Sequence, residues 1–250
     1  MSESLKPVAL VTGSATGVGR ACVLEFAKRG YAVVINYSRS EAEAKQTAED
    51  VESFGAESLV VRADVSSDQQ VREMAKQIEA KFGRLDILVN NAATTSFVAH
   101  EDLEGLTEEM WDRMLAVNLK GAFFVTRSVS KLLQADDGGS VVNVSSIAGI
   151  VGAGSSIAYC TSKAGLNVMT KSLARVMAPK VTVNSVCPGP IDSRWIREGN
   201  PSWDLEAMVA DYPIPKASQP EDVADAVLFF AINASMVTGQ ILTVDGGMTL

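Results

Sequence analysis

The sequence predicts a single doubly wound α/β domain, with about seven parallel strands flanked by helices and spanning residues 1–250. The chain length of 250 residues suits one such domain. Short apolar runs rich in β-branched residues alternate with longer helical patterns, which favours a parallel sheet with right-handed crossovers. The apolar runs are continuous rather than alternating in polarity, as expected of strands buried on both faces.

The predicted elements follow in order along the chain. The strands are Val8–Thr12, Ala32–Asn36, Ser58–Ala63, Ile87–Asn90, Ser140–Ser145, Thr182–Cys187 and Ile241–Val244. The helices are Val18–Arg29, Ala42–Phe54, Gln69–Phe82, Glu108–Leu133, Ser155–Ala178 and Glu221–Ala231. The segment Ile191–Lys216 interrupts this alternation, because it contains three prolines and two of the three tryptophans. We expect it to cover a substrate at the carboxyl ends of the strands, where ligands bind in such sheets.

Charge and composition exclude several classes of partner. The formal net charge is −8 and no basic run is present, which argues against nucleic acid or an anionic membrane. No apolar stretch reaches the ~20 residues of a membrane helix. The polar segment Met1–Pro7 lacks the apolar stretch of a secretory signal. We therefore expect a cytoplasmic protein.

Cysteine and histidine usage argues against a disulfide framework and against a metal site. The three cysteines, Cys22, Cys160 and Cys187, lie far apart and form no CxxC pair. His100 is the only histidine, and its polar neighbours predict a solvated loop residue. We expect no bound metal.

A glycine-rich turn follows the first predicted strand. Its glycines, Gly13, Gly17 and Gly19, have the spacing G-x-x-x-G-x-G. Glycine permits a tight turn and close backbone approach to a pyrophosphate, and the helix that follows presents free N–H groups. The alternative is a plain strand–helix turn, but the position after a strand and before a helix favours a dinucleotide site. The predicted contacts are Gly13, Ser14, Thr16, Gly17, Val18 and Gly19.

Tyr159 and Lys163 form the second informative pattern. Their i, i+4 spacing places both side chains on one face of a predicted helix. A lysine ammonium beside the phenol would lower the pKa of Tyr159, as general acid–base work requires. Ser146 lies 13 residues earlier, at the carboxyl end of a predicted strand. The pair alone also fits an ordinary amphipathic helix. A thiol nucleophile at Cys160 is disfavoured because the sequence offers it no histidine base.

Together with Asn90-Asn91-Ala92-Ala93, Asn118 and Pro188-Gly189, these motifs resemble the short-chain dehydrogenase/reductases. The resemblance extends from Val8 to the ending Asp245-Gly246-Gly247. It implies a Rossmann-type fold and an NAD(P)-dependent oxidoreductase that interconverts a carbonyl and a secondary alcohol.

The resemblance also implies roles for four catalytic residues. Tyr159 is the general acid and base, and Lys163 lowers its pKa and holds the nicotinamide ribose. Ser146 orients the substrate carbonyl, and Asn118 holds a water in a proton relay. Implied cofactor contacts are Asp64, Val65, Asn91, Ala92, Ala93, Tyr159, Lys163, Pro188, Gly189, Ile191 and Ser193. The chain departs from the family at Ala93, where glycine is usual, and at Ser193, where many members have threonine.

The corner after the second strand favours NADP over NAD. NAD-specific members have an aspartate at the position of Tyr37, and the sequence here is Tyr37-Ser38-Arg39. A guanidinium and hydroxyls suit a 2′-phosphate better than a 2′-hydroxyl. The acid Glu43 is explained as part of a capping box with Ser40. Against NADP, Thr16 is not basic, and Arg39 could be only a solvated surface charge.

The substrate class rests on charge. Within the family the chain looks most like 3-oxoacyl-[acyl-carrier-protein] reductases, whose carrier is strongly acidic. The pair Asp136-Asp137 and the net charge of −8 would repel such a carrier, although Lys180 stands near a basic docking position. We therefore expect a free small-molecule carbonyl or alcohol, with the carrier-bound substrate as the alternative. A non-catalytic dinucleotide-binding protein is the alternative from another class, and the complete Ser, Tyr, Lys and Asn set argues against it.

Two predicted helices suggest an assembly. Glu108–Leu133 and Ser155–Ala178 are more apolar than one stripe facing the sheet requires. Family members usually form homotetramers through these helices, so we expect a homotetramer. The alternative is that loops of the same chain cover the second face.

Overall fold

Seven parallel strands form the centre of the computed structural model, which describes residues 6–135, 137–199 and 203–250. They are β1 (Val8–Val11), β2 (Ala32–Tyr37), β3 (Ser58–Arg62), β4 (Ile87–Asn90), β5 (Gly139–Val144), β6 (Val181–Pro188) and β7 (Ile241–Val244). Their order is β3-β2-β1-β4-β5-β6-β7. The doubly wound fold class is confirmed, and every predicted strand end is within one residue of the observed one. All strands are parallel, but the order in which they are added to the sheet reverses between β1 and β4. Such folds open a ligand crevice at this point.

Helices cover both faces of this sheet. One face carries α1 (Gly17–Lys28), α2 (Glu41–Ser53) and α10 (Pro220–Ile232), and the other carries α3 (Asp68–Phe82), α5 (Ala122–Leu133) and α7 (Ile157–Met177). Successive β1 residues alternate between the two cores: Ala9 and Val11 join the first, Val8 and Leu10 the second. Because both sides of the strand are buried, the sequence needs an apolar residue at every position.

The predicted helix Glu108–Leu133 is interrupted in the structure. It consists of α4 (Glu108–Leu115), a π-helical segment (Ala116–Gly121) and α5. The prediction of one continuous helix was therefore wrong. The physical reason is Asn118, whose buried side chain bonds to the backbone of Thr94 and to Ser162, and the wider turn accommodates those contacts.

The segment between β6 and α10 contains two short helices, α8 (Arg194–Gly199) and α9 (Leu205–Val209). A further short helix, α6 (Ala148–Val151), follows β5. Side chains from α8 and α9 line the cavity at the carboxyl ends of the strands, and the role of this segment as a substrate cover remains a prediction. The amide of Ile214 donates to the Gly246 carbonyl oxygen, 2.9 Å away, which fixes the far end of this segment to the C-terminal turn.

The start of α10 has residues that favour a helix N-terminus. Pro220 is its first residue, and Glu221 and Asp222 lie in its first turn. Gln219 and Asp222 form a reciprocal capping box. Across the described ranges, no helix is both long enough and apolar enough to cross a lipid bilayer.

Candidate active site

A cavity of about 800 Å³ opens at the carboxyl ends of the strands. Parallel strands bring together there the loops that follow each of them, although these loops are far apart in sequence. The predicted site residues that line it are Gly13, Thr16, Gly17, Val18, Ser38, Arg39, Asp64, Val65, Asn91, Ala92, Ala93, Ser146, Tyr159, Lys163, Pro188, Gly189, Ile191 and Ser193.

Four predicted residues do not line the cavity. They are Ser14, Gly19, Tyr37 and Asn118. Tyr37 is buried in the core on the face of the sheet that carries α1, α2 and α10, and its contact with a cofactor remains a prediction. Ser14 donates to a carbonyl oxygen of β1, 2.7 Å away, and holds the turn from beneath. A Cβ at Gly19 would lie 2.5 Å from Asn91 Nδ2, so this glycine permits the turn after β1 to pack closely against the loop after β4.

The glycine turn fits a dinucleotide pyrophosphate. Gly13 and Gly17 have φ values of +62° and +58°, which side chains disfavour. A Cβ on Gly13 would also lie 2.9 Å from the Cα of Ala92. Helix α1 begins at the cavity wall, and its first residue is preceded by Thr16, whose side chain makes no capping bond. The backbone N–H groups and the positive end of a 12-residue helix are therefore placed to bind phosphate.

Two residues that the sequence analysis did not assign hold this turn in place. Asn36 Oδ1 accepts the amide of Gly13, 3.1 Å away, and its Nδ2 donates to the Ala63 carbonyl oxygen at 3.0 Å. Thr12 Oγ1 accepts two amides of the loop after β4, each at 3.0 Å. The sequence contained a pattern that could have identified Asn36 and Thr12, since both are polar residues at the ends of otherwise apolar strands.

The corner after β2 presents Ser38 and Arg39 at the cavity edge, and both are exposed. The proposed capping box is wrong, because the Ser40 side chain makes no capping bond. The carboxylate of Glu43 instead pairs with Arg194 of α8 at 3.1 Å. Its own backbone N–H and Arg194 together lower the pKa of Glu43. The acid that the sequence analysis assigned to a capping box is thus paired with an arginine that the sequence analysis did not single out.

Asp64, which follows the neighbouring strand β3, is held by a cation. Its carboxylate accepts from Ser66 Oγ at 2.6 Å and from the guanidinium of Arg113 at 3.1 Å. Burial alone would raise the pKa of Asp64, but these bonds hold it below the ordinary value. Arg113 also lines the cavity, and no local pattern marked it because it pairs across 49 residues.

The proposed catalytic side chains meet at the centre of the cavity wall. Tyr159 and Lys163 lie in the first two turns of α7, whose N-cap Ser156 accepts the Tyr159 amide at 3.3 Å. Ser146 follows β5 and lines the same cavity as Tyr159, and its side chain lowers the pKa of the phenol. Lys163 Nζ donates to the Val144 carbonyl oxygen at 2.9 Å and lies 5.7 Å from the centre of the Tyr159 ring.

Burial controls the two pKa values in opposite directions. It raises the pKa of Tyr159 to about 12, against a smaller lowering by Ser146. It lowers the pKa of Lys163 to about 8, because the buried ammonium is poorly solvated. The expected net lowering of the Tyr159 pKa is therefore wrong, because burial outweighs the stabilisation of the phenolate by its neighbours. At neutral pH the phenol keeps its proton and the lysine keeps its charge.

Asn118 lies beneath these groups rather than in the cavity. Its Nδ2 donates to the Thr94 carbonyl oxygen at 2.9 Å and to Ser162 Oγ at 3.0 Å, and its Oδ1 accepts the Thr94 amide at 2.8 Å. Ser162 Oγ in turn donates to the Tyr159 carbonyl oxygen at 2.7 Å. Asn118 thus connects the loop after β4 to the helix that carries the tyrosine. The predicted water relay remains a prediction.

Cys160 has a histidine closer than the sequence suggested, with His100 Nε2 at 4.0 Å from its Sγ. Burial raises the pKa of Cys160, which keeps the thiol neutral, and neither residue is among those lining the cavity. The structure therefore gives no support to a thiol nucleophile. Within the described ranges, no cluster of three or more His, Cys, Asp or Glu side chains is arranged to hold a metal ion.

Comparison with known proteins identifies the family. The family model described as enoyl-(acyl carrier protein) reductase matches residues 13–249. The chain is 41% identical to a Streptomyces violaceoruber protein named as ketoacyl reductase 2 of the granaticin polyketide synthase, over 98% of this chain and 96% of that one. It is 36% identical to the 3-oxoacyl-[acyl-carrier-protein] reductase FabG of Staphylococcus aureus strain N315, over 96% and 97%. A crystal structure described as a short-chain dehydrogenase/reductase from Burkholderia xenovorans matches with a TM-score of 0.92 and 34% identity, over 99% of both chains.

The chain belongs to the short-chain dehydrogenase/reductase family. It is an NAD(P)-dependent oxidoreductase, as the resemblance implied, and the non-catalytic alternative is set aside. The predicted Rossmann-type fold is confirmed.

The buried lysine should lower the stability of the fold. We expect Lys163→Met to raise the free energy of unfolding at pH 7 by about 3 kcal/mol, because the lowered pKa measures the cost of burying an ammonium. Below pH 8 the lysine is charged in both states. Between pH 8 and 10.5 the folded chain releases the proton first, so the wild type gains stability and the difference shrinks.

Urea unfolding at pH 7 and pH 9.5 measures this effect. Lys171→Met, an exposed lysine of the same helix, is the matched control and should change stability by under about 0.5 kcal/mol at both pH values. A Lys163→Met protein no more stable than the wild type at pH 7 contradicts the assignment of a buried, charged lysine.

Proposed function

We propose that the protein is an NADP(H)-dependent oxidoreductase that interconverts a carbonyl compound and a secondary alcohol, with Tyr159 as general acid and base. The arrangement of Ser146, Tyr159 and Lys163 on the wall of the cavity that also contains the glycine turn carries this proposal. We also propose that residues 191–216 form the cover of the substrate site.

The proposed chemistry follows from the protonation states. The dinucleotide supplies the hydride when bound. Tyr159 is protonated at neutral pH and donates its proton to the carbonyl oxygen, while the Ser146 hydroxyl orients that oxygen. The Lys163 ammonium stabilises the phenolate that remains. In the direction of alcohol oxidation, the phenolate accepts the proton, so that direction is favoured by higher pH.

Loss of the phenol hydroxyl tests the acid. Tyr159→Phe should lower kcat for ketone reduction by about 10²–10⁴-fold, because only the transferable proton is lost. The dissociation constant for NADPH should stay within about twofold of the wild-type value. Lys163→Ala, in contrast, should both lower kcat and weaken NADPH binding.

Tyr31→Phe is the control for removing a phenol hydroxyl, since Tyr31 packs against Phe26 outside the cavity, and it should keep full activity. Near wild-type turnover by Tyr159→Phe would show that the acid is another group.

The preference for NADP is proposed from the corner after β2. Arg39 is exposed at the cavity edge, where no acid occupies the position of Tyr37, and the carboxylate of Glu43 is paired with Arg194. A 2′-phosphate would therefore find a guanidinium and the Ser38 hydroxyl without an unpaired carboxylate beside them.

Removing this cation tests the preference. Arg39→Ala should raise the dissociation constant for NADPH by about tenfold, the usual value of a charge-assisted bond, and leave that for NADH unchanged. Arg29→Ala, an exposed arginine at the end of α1, serves as the control. A wild type with a higher kcat/KM for NADH than for NADPH is the opposing result.

A 3-oxoacyl group on acyl carrier protein is a second candidate substrate, favoured by the similarity to FabG proteins. Charge disfavours it: Asp137 is exposed before β5, and the net charge is −8. Asp136, the other half of the acidic pair, lies outside the described residues. The ratio of kcat/KM for the carrier-bound and free 3-oxo compounds distinguishes the two, and we propose the free compound.

Exposed apolar side chains support a homotetramer through α4, α5 and α7. Phe123 of α5 and Val168 and Val176 of α7 stay 40%, 66% and 76% exposed in one chain, so its own loops do not cover them. Light scattering should give a molar mass four times that of the chain. Val168→Glu should reduce the measured mass, because it places a charge on the proposed interface. Phe54→Glu, which alters an exposed phenylalanine outside these helices, is the control and should leave the measured mass unchanged. A monomeric wild type contradicts this proposal.

A further inference from the structure

We infer that Thr95 and Ser155 form a second oxygen site in the cavity, which binds a substrate oxygen other than the one being reduced. The ligand class is a ketone with a further acceptor oxygen a few atoms from the reacting carbonyl, such as a 3-oxo ester or thioester. The inference rests on the proposed function, because it assumes that a carbonyl is reduced beside Tyr159.

Two hydroxyl groups from distant segments meet at this point. Thr95 Oγ1 and Ser155 Oγ are 2.5 Å apart, although 60 residues separate them in sequence. Both residues line the same cavity as Ser146 and Tyr159. The Ser155 carbonyl oxygen also accepts the amide of Val98 at 2.9 Å, so the two segments are joined by backbone as well as by side chain.

The pair lies beside the proposed acid. Ser155 precedes Tyr159 by four residues, immediately before the N-cap of α7. A Cβ on Gly154 would lie 3.6 Å from Tyr159 Cδ1, so the loop before Ser155 packs against the tyrosine ring. Thr95 follows Thr94, whose amide and carbonyl are both bonded to Asn118. The segments that carry the two hydroxyls are therefore held against the tyrosine ring and against Asn118.

A count of protons shows that the pair keeps a donor for a ligand. Two hydroxyls carry two protons, and the bond between them uses one. Among the described contacts, Thr95 Oγ1 has one further acceptor, the Ser96 carbonyl oxygen at 3.4 Å, which is longer than an ordinary O–H···O bond. When Thr95 donates to Ser155, the Ser155 proton is available to an acceptor oxygen in the cavity.

The surrounding wall makes such a donor selective. Phe97 and Trp203 pack edge to face with ring centres 5.2 Å apart, and Met208 lines the same cavity. Two of the cavity's cations are paired, Arg113 with Asp64 and Arg194 with Glu43. A second substrate oxygen placed against apolar rings would lose its bonds to water without replacement. The hydroxyl pair of Thr95 and Ser155 would supply a hydrogen bond in place of those lost to water.

The experiment compares two ketones of equal chain length. Ethyl 3-oxobutanoate has a second carbonyl oxygen and 2-heptanone lacks it. The wild type should prefer the ester in kcat/KM, and Ser155→Ala should lower the value for the ester by about tenfold while leaving 2-heptanone within twofold. Thr95→Val should act in the same direction. Ser172→Ala, an exposed hydroxyl of α7, is the control and should change neither value.

Binding separates this inference from the proposed function. Titration calorimetry on the Tyr159→Phe protein saturated with NADP⁺ measures the affinity for both ketones without turnover. A preference for the ester that Ser155→Ala abolishes supports the oxygen site even if the wild type reduces neither ketone. Equal losses for both ketones, no loss for either, or no initial preference for the ester would each overturn it.

Discussion

The close approach of two loops at the centre of the sheet determines the rest of the site. The turn after β1 and the loop after β4 meet where the strand order reverses, and Asn91 Nδ2 donates to two carbonyl oxygens of that turn at 2.9 and 3.0 Å. Contact at this distance requires the absence of a side chain at Gly13 and Gly19. The same contact fixes where α1 begins and where the loop towards Thr94 starts, so both halves of the cavity depend on it.

A second theme is that burial, rather than a neighbouring charge, sets the protonation of the catalytic pair. In water, phenol and ammonium groups lose their protons at similar pH. In this cavity burial raises the pKa of Tyr159 and lowers that of Lys163, since each charged form is poorly solvated. The phenol is thereby kept as a proton donor, and the lysine remains a cation whose charge is sensitive to small changes around it. Burying the charged Lys163 lowers the stability of the fold, and this cost accompanies the protonation states of the pair.

Much of the fold could be predicted from the sequence because the physics there is local. A strand buried on both faces must be apolar throughout, and a glycine turn must precede a helix to bind phosphate, so both leave continuous patterns. The features that were missed depend on contacts between distant residues. Glu43 pairs with Arg194 across 151 positions, and Thr95 meets Ser155 across 60. The π-helical segment results from the bonds of Asn118 to Thr94 and Ser162, which helical periodicity does not register. The tyrosine pKa was misjudged because spacing reveals a neighbour but not the depth of burial.

The π-helical segment between α4 and α5 has a consequence for how this chain can vary. An extra residue in one turn rotates everything after it by about 100° relative to an ideal helix. The helix therefore presents one side to α7 and another to the sheet without a kink or a loop. Exchanging a side chain in Ala116–Gly121 changes only the contacts of that residue, three hydrogen bonds in the case of Asn118, but deleting a residue there re-registers all of α5 against the sheet. Chain length in this short segment is thus under tighter structural constraint than amino-acid identity at most of its positions.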